Sequence, residues 1–153
     1  MPKIPQLMLP LLFAALCATA PARAADTDTT PEVNKENADF AAGKMAIGAK
    51  NWNAALIAFE RVVKREPKNA DAFNYLGYAN RWLGKMDESF AHYNKALALD
   101  PNHRGANEYI GVAWLRVKQP AKAQEHLARL EKICGKGCDE YKDLAKAIAD
   151  YKP

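Results

Sequence analysis

The chain has 153 residues, 49% of them apolar types, which suits one domain with a core of its own. Setting aside positions 1–24 removes Lys3 and Arg23 and no acid, so the formal charge of +4 drops to 20 basic against 18 acidic residues. Lysines and arginines alternate with acids along every segment, which excludes the basic stripe of a nucleic-acid footprint.

The N-terminal segment, Met1 to Ala24, reads as an export signal. Met1-Pro2-Lys3 is a short positive start, Leu7 to Thr19 is an apolar run broken by Pro10, and Ala22-Arg23-Ala24 offers the small-x-small pattern that signal peptidase cuts after. The run is too short to span a bilayer, which takes about 20 residues. Cys17 raises the question of a lipid anchor, but Leu16 stands where that signal places a small residue. An ordinary cleaved signal is the better reading, and it directs the chain to the periplasm or outside the cell. Residues 25–35 are polar, carry no apolar period and are expected to form a flexible leader.

The central stretch, residues 70–103, sets the template for the whole chain. Phe73, Leu76, Gly77 and Ala79 share one helical face, Phe90, Tyr93, Ala96 and Leu97 another; Gly84-Lys85 separates the two patterns and Asp100-Pro101-Asn102 ends them. The same template fills residues 36–69, where Gly43 aligns with Gly77, Ala55 with Ser89, Phe59 with Tyr93 and Pro67 with Pro101, all at one constant interval. It fills residues 104–135 as well, with Gly111 in the glycine place, Trp114 and Ala123 in the large and small places, and Leu127 where the aromatic stood. Pro120 is expected to open the second helix of that unit, where its missing N–H is no loss. Residues 138–152 carry Tyr141, Leu144, Ala145, Ile148 and Tyr151 at helical spacing and read as a capping helix over the last apolar face.

Three such units in unbroken register resemble the tetratricopeptide repeat, a helix hairpin of about 34 residues in which large and small side chains alternate so that neighbouring hairpins nest. The ending CGKGCDEYKDLAKAIADY, after HRGANEYIG, is more narrowly similar to a group of small exported bacterial tetratricopeptide proteins. The resemblance implies an all-α, right-handed superhelix of three hairpins plus a cap, and a non-catalytic scaffold that binds a protein or peptide. Two positions depart from the pattern: Asp39 stands where a large aromatic is usual, and Asn80 where tyrosine is common.

In this family the first helices of successive hairpins line a concave groove. The register then assigns Asn37, Phe40, Lys44 and Ile47 to it from the first unit, Asp71, Asn74, Tyr78, Arg81 and Trp82 from the second, and Glu108, Val112, Leu115 and Arg116 from the third. Aromatic anchors, arginines and an asparagine suit an extended segment. The plainer alternative is that Tyr78 and Trp82 pack against a neighbouring helix and that Arg81 and Arg116 are solvated charges with local partners. Some relatives of this repeat hold a C-terminal carboxylate in a clamp of lysines, asparagines and an arginine. Lys44 and Asn74 do not reproduce that arrangement, so a chaperone-tail receptor is not expected.

Cys134 and Cys138 flank Gly-Lys-Gly and, in an exported chain, are expected to form a disulfide. The alternative is a thiol-dependent redox or metal-handling protein using the same pair, although catalytic dithiols usually have two intervening residues. His92 and His126 are one repeat length apart, so they occupy equivalent places about one hairpin spacing from each other, too far to share a metal. They are expected at a surface or interface, and His103, in the turn after Pro101, is expected to be exposed. Neither a serine–histidine–acid arrangement nor a glycine-rich phosphate loop is recognisable, so no enzyme, cofactor or metal is expected. Self-association through the groove or the first unit remains open, as it is for many repeat proteins.

Overall fold

The computed structural model describes residues 32–152, with side chains from Ala38 onward. Among these residues the chain forms seven helices and no strand: α1 (Glu32–Gly48), α2 (Trp52–Arg65), α3 (Ala70–Trp82), α4 (Met86–Leu99), α5 (Arg104–Arg116), α6 (Pro120–Cys134) and α7 (Asp139–Asp150). The segment expected to be an export signal lies outside the described residues. Helix α1 begins inside the segment read as leader, where glutamate and lysine are favourable helix formers.

Local chemistry sets the helix ends. Asn51, Asn69 and His103 are the N-caps of α2, α3 and α5, each accepting a hydrogen bond from the backbone N–H three residues on, at 3.1, 2.9 and 3.2 Å. Pro120 opens α6, as its missing N–H allows. Helices pair as α1/α2, α3/α4 and α5/α6; the hairpins join through α2 with α3 and α4 with α5, and α7 closes the stack against α5 and α6.

Packing follows the large–small alternation. A Cβ on Gly43 would lie 2.6 Å from the Phe59 ring, and one on Gly77 2.5 Å from the Tyr93 ring, so each aromatic lies flush on the facing helix. Phe59 also stacks on Tyr75 at 4.8 Å and meets Phe40 edge-on at 5.5 Å, which knits the first hairpin to the second. The third hairpin departs from the expected pattern. Leu127 is half-buried, and the side chain that fills the space over Gly111 is Leu144 of the cap.

The two departures from the repeat pattern are resolved by polar contacts. Asp39 receives a hydrogen bond from Arg65 and has Arg61 at 3.6 Å, so an ion pair stands where an aromatic was expected; the Arg65 hydrogen bond holds its carboxyl below the usual range. Asn80 is buried and donates to the Leu76 carbonyl at 3.0 Å, which satisfies it inside its own helix. Among the described residues no helix is long and apolar enough to cross a membrane.

Candidate functional site

Helices α3 and α5 lie side by side and present a continuous face built from two parts. The first is a ladder of rings and guanidinium groups. Trp82, at the end of α3, stacks nearly parallel on Trp52 of α2 at 5.3 Å, and Arg116 of α5 lies 4.8 Å from the Trp82 ring. Tyr78 sits 4.9 Å from Tyr109 and 6.0 Å from Trp52. Arg81 is 5% exposed, with its guanidinium 5.0 Å from the Tyr78 ring and 5.5 Å from that of Trp82. Arg116 Nη1 also donates to the Arg81 carbonyl at 3.1 Å.

The second part is an open hollow of about 670 Å³, lined by residues of α3, the α4–α5 turn, α5 and the start of α7. Four acids reach it: Asp71, Asp100, Glu108 and Glu140. Two of them have basic neighbours, since His103 Nε2 lies 3.0 Å from Asp71 Oδ1 and Arg104 Nε 3.4 Å from Glu140 Oε1. Glu108 has no ion-pair partner among the described residues. Burial, with Asp143 and Glu140 adding to it and Arg81 opposing, pushes its carboxyl up to about 8. Glu108 therefore holds its proton far more tightly than an ordinary carboxyl. Burial also raises the Tyr109 hydroxyl, and Glu108 adds to that shift.

Asn74 also lines the hollow. It is 4% exposed, and its Oδ1 has no hydrogen-bond partner among the described residues. A buried acceptor left unmade costs about 1–3 kcal/mol, so a donor that reached Asn74 Oδ1 would recover that cost.

The register placed Tyr78, Trp82, Asn74 and Glu108 on this face, and there they lie. Their exposure differs from a set of free anchors. Tyr78 is half-buried against Trp52, Trp82 stacks on Trp52 but stays 44% exposed, Arg81 is nearly buried among rings, and Arg116 is exposed but tied to the Arg81 carbonyl and Trp82. Arg81 is thus held among rings, although its Nε has no hydrogen-bond partner among the described residues, while Arg116 keeps an exposed guanidinium. Phe40 belongs to the core between hairpins, Leu115 is buried, Lys44 is exposed on α1, and the Asn37 side chain lies outside the described residues.

The sequence reading missed Trp52, Tyr75, Tyr109 and Glu140. Tyr75 and Tyr109 are themselves one repeat length apart, a signal present in the sequence; Trp52 and Glu140 lie outside the first helices that the register surveyed. His103 is also corrected. Its side chain is 12% exposed, because its ring both caps α5 and faces Asp71. His126 is buried, with Nδ1 3.1 Å from Asn107 Oδ1. His92 is half-buried against Phe73.

Cys134 ends α6 and Cys138 caps α7; their Cα atoms are 5.9 Å apart, with the two sulfurs facing each other. Glu140 brings a carboxylate oxygen within 4.8 Å of both sulfurs.

Residues 40–104 match the family model described as "Tetratricopeptide repeat". The fold is a tetratricopeptide-repeat solenoid. The chain superimposes on the TPR2B domain of yeast Sti1, in a structure described as its complex with pHsp70, with a TM-score of 0.67 and 24% identity over 78% of this chain and 99% of that one. It also superimposes on the first tetratricopeptide domain of Spaghetti (RPAP3), bound to the HSP90 peptide SRMEEVD, with a TM-score of 0.66 and 16% identity over 76% and 98% of the two chains. In sequence it is 33% identical over 99 residues to the FK506-binding protein-like protein of Mus musculus, covering 65% of this chain. This chain spans 27% of that relative's length.

Proposed function

We propose that this chain is a non-catalytic member of the tetratricopeptide family that holds a protein or peptide along the face of α3 and α5, and that it does so after export to the periplasm or beyond. The observation that carries the reading is the pairing of an open hollow with the Asn74 Oδ1, a buried acceptor without a partner among the described residues. An extended backbone carries an N–H at every residue and can supply the missing donor. The two superimposed domains, one described as a complex with pHsp70 and one bound to an HSP90 peptide, support the class of function. Export rests on the apolar run from Leu7 to Thr19 and the Ala22-Arg23-Ala24 site. It also gives the Cys134–Cys138 pair an oxidising compartment in which to stay joined.

A photo-reactive benzoylphenylalanine placed at Asp71, inside the hollow, tests this in the native cell beside one at Gln124, exposed on α6. A covalent adduct to another protein from position 71 and none from 124 is expected. An adduct from 124 alone moves the partner off this face.

A second reading, thiol-dependent redox or metal handling, is favoured by one observation, the convergence of Cys134, Cys138 and Glu140. It requires the two sulfurs to be parted. Titration of the reduced chain with zinc, followed by its helicity and thiol count, checks it; submicromolar binding that protects both thiols is the result that would support it.

A further inference from the structure

The charge of the hollow indicates which partner it suits. It is bounded by Asp71, Asp100, Glu108 and Glu140, while the cation at its edge, Arg104, already faces Glu140, and the His103 ring, whose Nδ1 accepts the Ala106 N–H, faces Asp71. An acidic segment such as SRMEEVD, the peptide bound by the RPAP3 domain, would bring carboxylates against carboxylates here. A segment of the opposite sign meets attraction instead.

Acidic residues on a protein surface are common and by themselves indicate nothing. The second observation is Asn74, buried at 4% exposure, with Oδ1 lacking any hydrogen-bond donor among the described residues. Carboxylates and an amide oxygen are acceptors, and the group that satisfies several acceptors at once is a multiple donor carrying positive charge. Tyr75 and Tyr109 line the same hollow, and the ring quadrupole of a tyrosine attracts such a cation.

We propose that the hollow between α3, α5 and α7 receives a lysine or arginine side chain from an extended segment of the partner protein, with Glu108, Glu140 and Asp71 as its carboxylate wall and Asn74 Oδ1 as its buried acceptor. This deepens the scaffold reading above and rests on it. The arriving cation favours the ionised form of Glu108, so binding releases the proton that burial, Asp143 and Glu140 hold there against the pull of Arg81. Affinity therefore rises with pH up to about 8. Asp71, His103 and Arg104 also face the site, and Tyr109 lies beside it.

The test is a display library of random dodecapeptides selected on the full immobilised chain and, in parallel, on its Glu108→Gln, Glu140→Gln double variant. Glutamine keeps the shape and removes the charge, and circular dichroism verifies that the variant is folded. The expected result is enrichment of sequences sharing a lysine or arginine, bound at least about tenfold more weakly by the variant, with affinity for the parent chain rising several-fold from pH 6.5 to 8. Enrichment of neutral or acidic sequences, or of basic ones that bind both proteins equally, overturns the charge assignment and leaves the scaffold reading in place. If the parent chain enriches no sequence at all, the peptide-scaffold reading falls and this inference falls with it.

Discussion

Leu144 of α7 is seated directly on Gly111 of α5: a Cβ added to that glycine would lie 2.6 Å from Leu144 Cδ2. The leucine is fully buried, and it does for the third hairpin what Phe59 and Tyr93 do for the first two. Leu144→Ala should therefore lower unfolding free energy by roughly 3 kcal/mol, the usual cost of a leucine-sized cavity, measured by urea denaturation. Gly111→Ala should also destabilise, since Leu144 must move to make room. A loss below about 1 kcal/mol for Leu144→Ala would mean that the cap is not integral to the core.

That contact marks the limit of what a repeat pattern reveals. The slots of Phe59 and Tyr93 were legible because their partners, Gly43 and Gly77, lie inside the same unit at fixed spacing. Leu127 fits the third slot by the same rule, but the cap, which belongs to no unit, supplies Leu144 instead. The groove shows a similar split. Register identifies which face a side chain is on and not how deep it lies, so it places Arg81 correctly on α3 yet displays it, when the side chain is 5% exposed. The ring that stacks on Trp82, Trp52, comes from a second helix and leaves Trp82 44% exposed, and the acid that completes the hollow, Glu140, comes from the cap.

His126 predicts an acid limit to stability. Burial, with Arg129 nearby, pushes its imidazole down from 6.5 to about 4. A histidine with a depressed folded value contributes stability that is present above its unfolded value and lost as pH falls toward the folded one. Unfolding free energy should therefore fall by up to roughly 3 kcal/mol between pH 6.5 and 4. His126→Gln, which can still donate to Asn107 Oδ1, should flatten that slope. If the variant titrates like the parent chain, another group sets the acid limit.

A Cys134–Cys138 disulfide, as proposed above, would close a loop of about five residues, for which the chain-entropy account gives roughly 2 kcal/mol. The effect should be local, because the link joins the end of α6 to the start of α7. Cys134→Ser with Cys138→Ser should speed amide hydrogen exchange across residues 139–150 far more than across α3. Uniform acceleration along the chain would show instead that α7 opens only with the whole fold.

Glu108 makes the opposite prediction to His126. Its carboxyl is raised from 4.5 to about 8 in the folded chain, so the folded state holds a proton that the unfolded state releases. For a raised value the contribution is fully present below pH 4.5 and lost as pH climbs through about 8. Glu108→Gln mimics the protonated side chain and should match the parent near pH 5. At pH 9 it should exceed the parent by roughly 2 kcal/mol, a figure reduced for the screening of an open groove. Urea unfolding of both proteins at the two pH values checks this. Parallel stability curves would place the proton elsewhere, whereas divergence that grows from about pH 5 and levels off above about 8 ties the stability to Glu108, where a partner's cation would favour loss of the same proton.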